Sequence, residues 1–544
     1  MLREARTDYN LILSVEAIFM SLTPNAEHGG SFFSKTPDHI FTAEDFRGDE
    51  ALMIDTAEQF SRKEVLPLAE RLDEKEAHLM PSLLHKAGEL GFCGIDIAEQ
   101  YGGLGLGKNI AARILEFLSL NGSFSVTIGV TSGIGQLGIS LFGNERQRRQ
   151  YLPLISTGKW ISAYALSEPN SGSDALSAST RADLKNGRWM LNGTKMWVSN
   201  AAWADVFLVM AKVDGDKFSA FIVERGFPGV SISREEHKLG LKGSSTARIL
   251  LEDAEVPEEN LLHEIGLGHQ VALNALNIGR FKLSSMSLGP ARDSIGIAAQ
   301  YALDRKQFGR PIGEFGLIRK KFTESAARFF AAEAMTYRTG ALIDDAFLYW
   351  GGEPAGNRKA SEEYAMECSA CKVFGSEAEA FIVDEMLQVF GGYGYTEEFP
   401  MARHYRDARI SRIYEGTNEI NRVFLADRLI RRSKEGRTSL EASSDSFISE
   451  LACKGFKKEP ANQIVQGALS DLMILAYAEQ SARLRARQVG GLSAALYRIF
   501  LNWANLQAAM AYQTATCEAV SLPPTEASDW DEVALAVLEK KRPL

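Results

Sequence analysis

Only five cysteines, Cys93, Cys368, Cys371, Cys453 and Cys517, occur in 544 residues. Their odd number and scattered spacing give no disulfide framework and fit a reducing compartment. Cys368 and Cys371 form a C-x-x-C, but it lies inside the helical run EEYAMECSACKVFGSEAEAF without a second Cys/His pair at metal spacing. Packing is therefore expected of them, rather than redox or metal chemistry. Positive charge is also short: 60 Lys and Arg stand against 70 Asp and Glu, a net charge of −10. That excludes a general nucleic-acid binder, and any anionic ligand must meet local basic residues. No apolar run is expected to approach the roughly 20 residues that span a bilayer. The N-terminal MLREARTDYNLILSVEAIFMSL has a short apolar run interrupted by Glu4, Asp8 and Glu16, with no small-residue cleavage site. It reads as a loosely attached extension, not a signal.

The composition that is present, 45% hydrophobic and 24% charged, is that of a globular protein. At about 150 residues per domain, the length predicts three or four domains. From about 45 to 160 apolar residues recur at three and four, as in DEALMIDTAEQFSRKEVLPLAERL, with Pro67 marking a bend. The period changes near Ile161. Short runs bounded by Gly, Asp or Pro follow, and Asn192-Gly193 in RWMLNGTKMWVSN predicts a hairpin turn. Helical periodicity returns near Gly268 and lasts to about Arg432, with Ile295, Ala298, Ala299, Ala302 and Leu303 on one stripe. A polar, Ser-rich linker precedes a last Ala/Leu-rich helical region. The expected organisation is an extension (1–44), a helical domain (45–160), a β domain (161–265), a helical bundle (266–432), a linker (433–446) and further helices (447–544).

Several segments carry chemistry. Gly102-Gly103-Leu104-Gly105-Leu106-Gly107-Lys108-Asn109 approaches a phosphate loop, but Asn109 stands where a magnesium-binding hydroxyl belongs, so a structural turn is expected. The segment YALSEPNSGSD, Tyr164 to Asp174, packs hydroxyls and turn residues where the β domain begins, suiting a loop that meets polar ligand edges. After it come KMWVSNAAWAD, HKLGLKGSST, NIGRF, DRKQFGRP, QVFGGYGY and RIYEGTNEINR. In this order, over about residues 45 to 432, they resemble the acyl-CoA dehydrogenase family. The extra helices beyond 447 and NIGRF resemble its very-long-chain branch.

The resemblance implies an α+β fold: a helical domain, a central β barrel or sandwich, a helical bundle and an additional C-terminal helical domain. It implies FAD and a fatty acyl-CoA thioester, with β-oxidation chemistry giving a trans-2-enoyl-CoA. Glu415 matches the catalytic base that removes the α-proton, its N–H matches a donor to the thioester oxygen, and hydride passes to flavin N5. Gly416 lets backbone approach closely. An N-terminal helix-capping role is the alternative for Glu415. Tyr164, Leu166, Ser167, Ser173, Trp197 and Ser199 match flavin contacts. Arg305 and Phe308, with Gln388, Gly391 and Gly392, match residues contributed to a neighbouring subunit's FAD, whereas Thr417 and Glu419 match positions near the FAD adenylate side. Ser173, Asn277 and Arg280 match substrate contacts, Arg280 also holding the Glu415 loop. No metal is implied.

Sharing FAD implies an oligomer, and the extra domain implies a homodimer. Where the family often has N-G-G or N-G, this chain has Asn200-Ala201-Ala202, so the local turn must differ or be strained. Val126 and Val130, flanked by Gly129, Gly133 and Gly135, align with the cavity floor of medium-chain enzymes and leave depth for long acyl chains. An electron-transferring flavoprotein is the implied acceptor. An acyl-CoA oxidase and a scaffold that retains the fold are the alternatives. The amphipathic Ile499, Phe500, Trp503, Leu506 and Met510, preceded by Arg483, Arg485, Arg487 and Arg498, are expected to pack internally, with peripheral membrane contact as the alternative. The location implied is cytoplasm in a bacterium, or the mitochondrial matrix in a eukaryote.

Overall fold

Apolar periodicity becomes helix from Asp49 onward in the computed structural model, which describes residues 28–441, 446–457, 460–524 and 530–544. The N-terminal segment up to residue 27 lies outside the described residues. The first layer comprises α1 (Asp49–Phe60), α2 (Ala69–Asp73), α3 (Leu79–Glu89), α4 (Lys108–Leu118), α5 (Gly122–Thr131), α6 (Ile134–Phe142) and α7 (Glu145–Ser156). A π-helical turn, Ser61–Val65, and a 3-10 turn that holds Pro67, Leu66–Leu68, join α1 to α2. The glycine-rich loop is structural: Gly102 and Gly105 take φ of 80° and 65°, and a Cβ on Gly103 would lie 2.1 Å from the Ile97 carbonyl oxygen. The N-terminus of α4 is already satisfied, because the Asp344 carboxylate accepts from the backbone N–H of Lys108 and Asn109.

The stretch Gly122–Phe142 is long and apolar enough to cross a membrane by length and composition, which corrects the expectation above. It is divided between α5 and α6, and 83% of its most apolar window is buried inside the protein. Its hydropathy is that of a core element.

Eight strands form one sheet: β1 (Ser162–Ala165), β2 (Arg181–Lys185), β3 (Arg188–Ser199), β4 (Val206–Val213), β5 (Lys217–Glu224), β6 (Val230–Ile232), β7 (Thr246–Pro257) and β8 (Leu261–Leu262). The order is β6-β7-β3-β2-β4-β5-β8, with β1 parallel to β4. The hairpin expected at Asn192-Gly193 is elsewhere. Those residues lie within β3 at a register shift against β7, and Asn186-Gly187, at φ 51° and 75°, makes the β2–β3 turn. Both dipeptides carry the turn signal. Gly193 answers a different need, since a Cβ there would lie 2.3 Å from Thr180 Oγ1.

The bundle is built from α8 (Gly268–Asp304), α9 (Gly316–Trp350), α10 (Pro354–Glu363), α11 (Ala365–Phe390), α12 (Pro400–Ala408) and α13 (Asn418–Lys434), with α8 packed along α11. The predicted stripe on α8 faces the core, Ile295, Ala298, Ala299 and Ala302 being fully buried. Between α8 and α9 a small ribbon pairs β9 (Lys306–Gln307) with β10 (Arg310–Pro311). Four more helices follow: α14 (Phe447–Phe456), α15 (Gln463–Val489), α16 (Leu492–Thr516) and α17 (Trp530–Lys540).

Residues 28–44 are not loosely attached. Phe32 and Phe33 are buried, the Phe32 ring lies 4.9 Å from that of Tyr477, and Gln480 Nε2 donates to the Phe32 carbonyl at 2.9 Å. Part of the expected linker is also anchored, since the buried Thr438 hydroxyl and Arg432 both donate to the Gly29 carbonyl at 3.0 Å. Cys368 and Cys371 are buried, and burial pushes the Cys371 thiol up to about 12, far from a reactive thiolate. Among the described residues no group of His, Cys, Asp and Glu is arranged to hold a metal ion. On α16, Ile499 and Phe500 are buried whereas Leu506 and Met510 are exposed. Of the basic residues before it, Arg485 is buried between Glu44 and Glu333 at 2.6 Å from each, and Arg483 pairs with Glu479 at 3.0 Å.

Within the sheet, Lys195 on β3 is fully buried and its Nζ lies 2.7 Å from Glu168 Oε1. Removing one partner of such a pair strands the other charge, although Glu168 keeps donors from Ser179 and Thr180. Lys195→Ala is expected to lower the unfolding free energy by about 3 kcal/mol in urea titrations followed by circular dichroism. A loss below about 1 kcal/mol would contradict this account of the pair.

Candidate active site

The turn before α13 holds Glu415 in a left-handed conformation, φ 59°, followed by Gly416 at φ 79°. For a non-glycine residue this geometry costs about 1–2 kcal/mol, so the surroundings must impose it. Three side chains grip the turn by its carbonyl groups. Arg280 Nε, from α8, donates to the Glu415 carbonyl at 3.1 Å. Lys372 Nζ, from α11, donates to the Gly416 carbonyl at 2.8 Å, and Asn421 Nδ2, from α13, donates to the same oxygen at 2.8 Å. The helix cap is Thr417, whose hydroxyl accepts from the Ile420 N–H at 3.3 Å, so the capping role is not that of Glu415.

The Glu415 side chain is left to chemistry. Its Oε2 is shielded from water with no hydrogen-bond partner among the described residues. Burial pushes its pKa up to about 7, with Arg280 and Lys372 holding it from rising further. Burial likewise pulls the Lys372 ammonium down to about 7, Glu415 opposing. The carboxylate rests over Gly279, where a Cβ would lie 2.8 Å from Oε2. Asn277 and Arg280 are buried with protein partners: Arg280 Nη1 donates to Asn277 Oδ1 at 3.3 Å, and Asn277 Nδ2 to the Ser361 carbonyl at 3.3 Å. Near the turn, Val126, Val130 and Leu241 form an apolar cluster with Ile134, Met286, Ile410 and Tyr414 packed against it.

A second group of predicted residues lies along β1 and β3. The Tyr164 hydroxyl donates to the Ala272 carbonyl at 3.3 Å. The Leu166 carbonyl accepts from Lys195 Nζ at 3.2 Å and the Ser167 carbonyl from the Met196 N–H at 2.8 Å, fixing that segment on β3. Trp197 is 58% exposed at φ 59°, Ser199 is half-buried at the strand end, and Ser173 is exposed. The N-A-A departure costs neither alanine a positive φ. Asn200 takes it, at 65°, and its buried Nδ2 donates to the Thr127 carbonyl at 3.0 Å and the Ser162 carbonyl at 3.1 Å.

A third group lies on the bundle surface. Arg305, Phe308, Gly391 and Gly392 line an open cavity of about 650 Å³ together with Tyr301, Ile312, Phe315, Phe390 and Tyr393. Phe308 is 94% exposed, and Arg305 lies over the Tyr393 ring at 5.8 Å. Gln388 is exposed on the last turn of α11, and Glu419 is exposed on the first turn of α13 behind Thr417. The sequence reading missed Lys372, Asn421 and Gly279. A lone cation inside the apolar run of α11 was the available signal for Lys372.

Descriptions of the acyl-CoA dehydrogenase N-terminal, middle and C-terminal domains match residues 48–159, 163–254 and 266–430 in that order. The chain belongs to the acyl-CoA dehydrogenase family. A probable acyl-CoA dehydrogenase of Bacillus subtilis (strain 168) is 45% identical over 450 residues, 81% of this chain and 76% of the relative. Human mitochondrial acyl-CoA dehydrogenases named as short-chain specific and very long-chain specific are 36% and 37% identical. These matches cover 70% and 62% of this chain, and 90% and 51% of the respective relatives. An acyl-CoA dehydrogenase crystal structure, complexed with FAD, from Bacillus anthracis superposes with a TM-score of 0.89 at 39% identity, over 95% of this chain and all of that one. The superposition therefore extends through helices beyond the three family domains of this acyl-CoA dehydrogenase.

Gly279→Ala should improve helix propensity while forcing a methyl group against the Glu415 carboxylate. The methyl group would also press on Ile134 Cγ2 at 2.8 Å, so about a 10-fold fall in substrate-driven flavin reduction is expected together with a modest fall in thermal stability. Unchanged reduction kinetics would contradict the close approach seen at Gly279.

Proposed function

We propose that the chain dehydrogenates long-chain fatty acyl-CoA thioesters between Cα and Cβ, yielding trans-2-enoyl-CoA. The observation that carries this reading is Glu415 Oε2, shielded and without a hydrogen-bond partner among the described residues, and burial pushes the carboxyl pKa up to about 7. An α-proton of a thioester is weakly acidic, and a desolvated base of matched pKa with a nearby oxyanion donor is what its removal needs.

The residues fit FAD. Trp197 and Phe308 offer exposed aromatic faces, Arg305 offers paired donors to phosphate, and no heavy atom lies within 4 Å of where a Cβ would stand on Gly391 or Gly392. Tyr164, Leu166, Ser167, Ser173, Trp197 and Ser199 would hold the isoalloxazine and pyrophosphate, with Thr417 and Glu419 towards the adenylate. Arg305, Phe308, Gln388, Gly391 and Gly392 would serve the FAD of a second copy, which makes the working unit a homodimer. Bound FAD supplies the two-electron acceptor for the β-hydride.

This chain's own residues do the rest. The Glu415 N–H donates to the thioester oxygen, and the Glu415 carboxylate takes the α-proton. Gly416 keeps the turn free of a side chain, and Arg280 and Lys372 hold its carbonyls so that the carboxylate meets Cα. Ser173, Asn277 and Arg280 frame the substrate side, Asn277 by orienting Arg280. The apolar cluster of Val126, Val130 and Leu241, with Met286 packed against it, supports a long acyl chain. An electron-transferring flavoprotein is the acceptor this reading favours.

Anaerobic addition of palmitoyl-CoA to the FAD-loaded protein should bleach the flavin absorbance, and Glu415→Gln should slow bleaching at least about 100-fold while retaining FAD. Near-normal bleaching by that variant would overturn the assignment. Across butyryl-, octanoyl-, palmitoyl- and eicosanoyl-CoA, turnover should favour the long chains, and a maximum at butyryl-CoA would overturn the chain-length reading. Under air, little peroxide should form; stoichiometric peroxide would favour an oxidase.

A further inference from the structure

The turn that carries Glu415 is joined to the helices beyond 447 by a continuous polar chain. Asn418, the first residue of α13, accepts from Lys372 Nζ at 2.6 Å, and its Nδ2 donates to Glu377 Oε1 at 3.0 Å. The same Glu377 carboxylate receives Arg422 from both sides of the guanidinium, at 2.8 Å and 3.0 Å. Arg422 Nε then donates to Asp471 Oδ1 at 2.7 Å, and Asp471 belongs to α15. The neighbouring Ser470 hydroxyl donates to the Arg422 carbonyl, so α15 holds both the side chain and the backbone of that residue.

We propose that Arg422 and Asp471 are positioning residues for Glu415, through which the C-terminal helices keep the left-handed turn in its reactive geometry. This rests on the reading of Glu415 as the base. Isolated surface ion pairs contribute little, but this one is paired twice at the guanidinium, sits in a network, and leaves Arg422 only 20% exposed. A glutamate at positive φ has no preference of its own for that geometry, so slack in the first turn of α13 passes to the carboxylate. Asp471, at 39% exposure, can be changed without opening the core.

The test uses the full-length, FAD-loaded protein and anaerobic flavin reduction by palmitoyl-CoA, reading limiting rate, apparent Kd and pH profile together. Asp471→Ala should lower the limiting rate about fivefold, Arg422→Gln at least as much, with Kd changed less than about twofold. Asp471→Glu should recover most of the rate. Asp427→Ala, which removes only an exposed pair with Arg431 on the same helix, is the control and should match the wild type. Charged and titratable groups around Glu415 are Arg280 from α8, Lys372 from α11, Tyr164 from β1 and Tyr414 beside it. Loosening the turn admits water to the carboxylate, so the acidic limb of the profile should move to lower pH in Asp471→Ala. An unchanged rate and profile overturns the proposal. So does a rate loss that tracks a fall in Tm and is not recovered by Asp471→Glu, because that is the signature of a structural role alone. A wild-type protein whose flavin stays oxidised overturns the base assignment itself, and this proposal with it.

Discussion

Everything about the candidate site depends on one carboxylate being held where neither its backbone nor its charge is comfortable. Glu415 occupies a left-handed turn and keeps Oε2 away from water without a hydrogen-bond partner among the described residues. Each condition is unfavourable alone. They persist together because Arg280, Lys372 and Asn421 bind the carbonyls of the turn rather than the carboxylate. Backbone atoms absorb the hydrogen bonds, and the acid keeps its proton affinity.

The same economy recurs further out, where buried cations join elements distant in sequence. Asp96 lies between Lys108 of α4, at 3.0 Å, and Lys282 of α8, at 3.1 Å. Burial works against the Asp96 charge, but the two ammonium groups outweigh it and hold the carboxyl down to about 2. Glu333 on α9 receives Arg113 at 2.7 Å, with Arg292 and Arg485 each at 2.6 Å. Arg485 comes from α15, and its other partner, Glu44, lies in the strap that precedes α1. Buried pairs of this kind add little net stability over an apolar core, but they are costly to break, which favours one arrangement of the layers. These cations are used internally; a net charge of −10 is compatible with an anionic ligand because a separate cation, the exposed Arg305, can act locally.

Much of the architecture was legible because apolar period reports burial directly: the stripe on α8 and the change of period near Ile161 correspond to observed elements. Local turn chemistry was less decisive. Asn186-Gly187 and Asn192-Gly193 read alike, and only the pairing of β3 with β7 decides which one turns. Residues around 28–44 gave little pattern because their order comes from side chains of α15 hundreds of residues away. At the site, Glu415 and Gly416 were legible through RIYEGTNEINR and Arg280 through NIGRF. Lys372 and Gly279 were not, since the need for a cation or for a missing Cβ arises only when α8, α11 and the turn before α13 are brought together.

The most direct measurement is the titration of the Glu415 carboxyl itself. In the protein labelled with ¹³C at glutamate side-chain carboxyls, infrared difference spectra of wild type against Glu415→Gln isolate this one group. Its protonated band should give way to the carboxylate with a midpoint near pH 7. A midpoint near 4.5, the ordinary value for glutamate, would show a solvated acid and contradict the account.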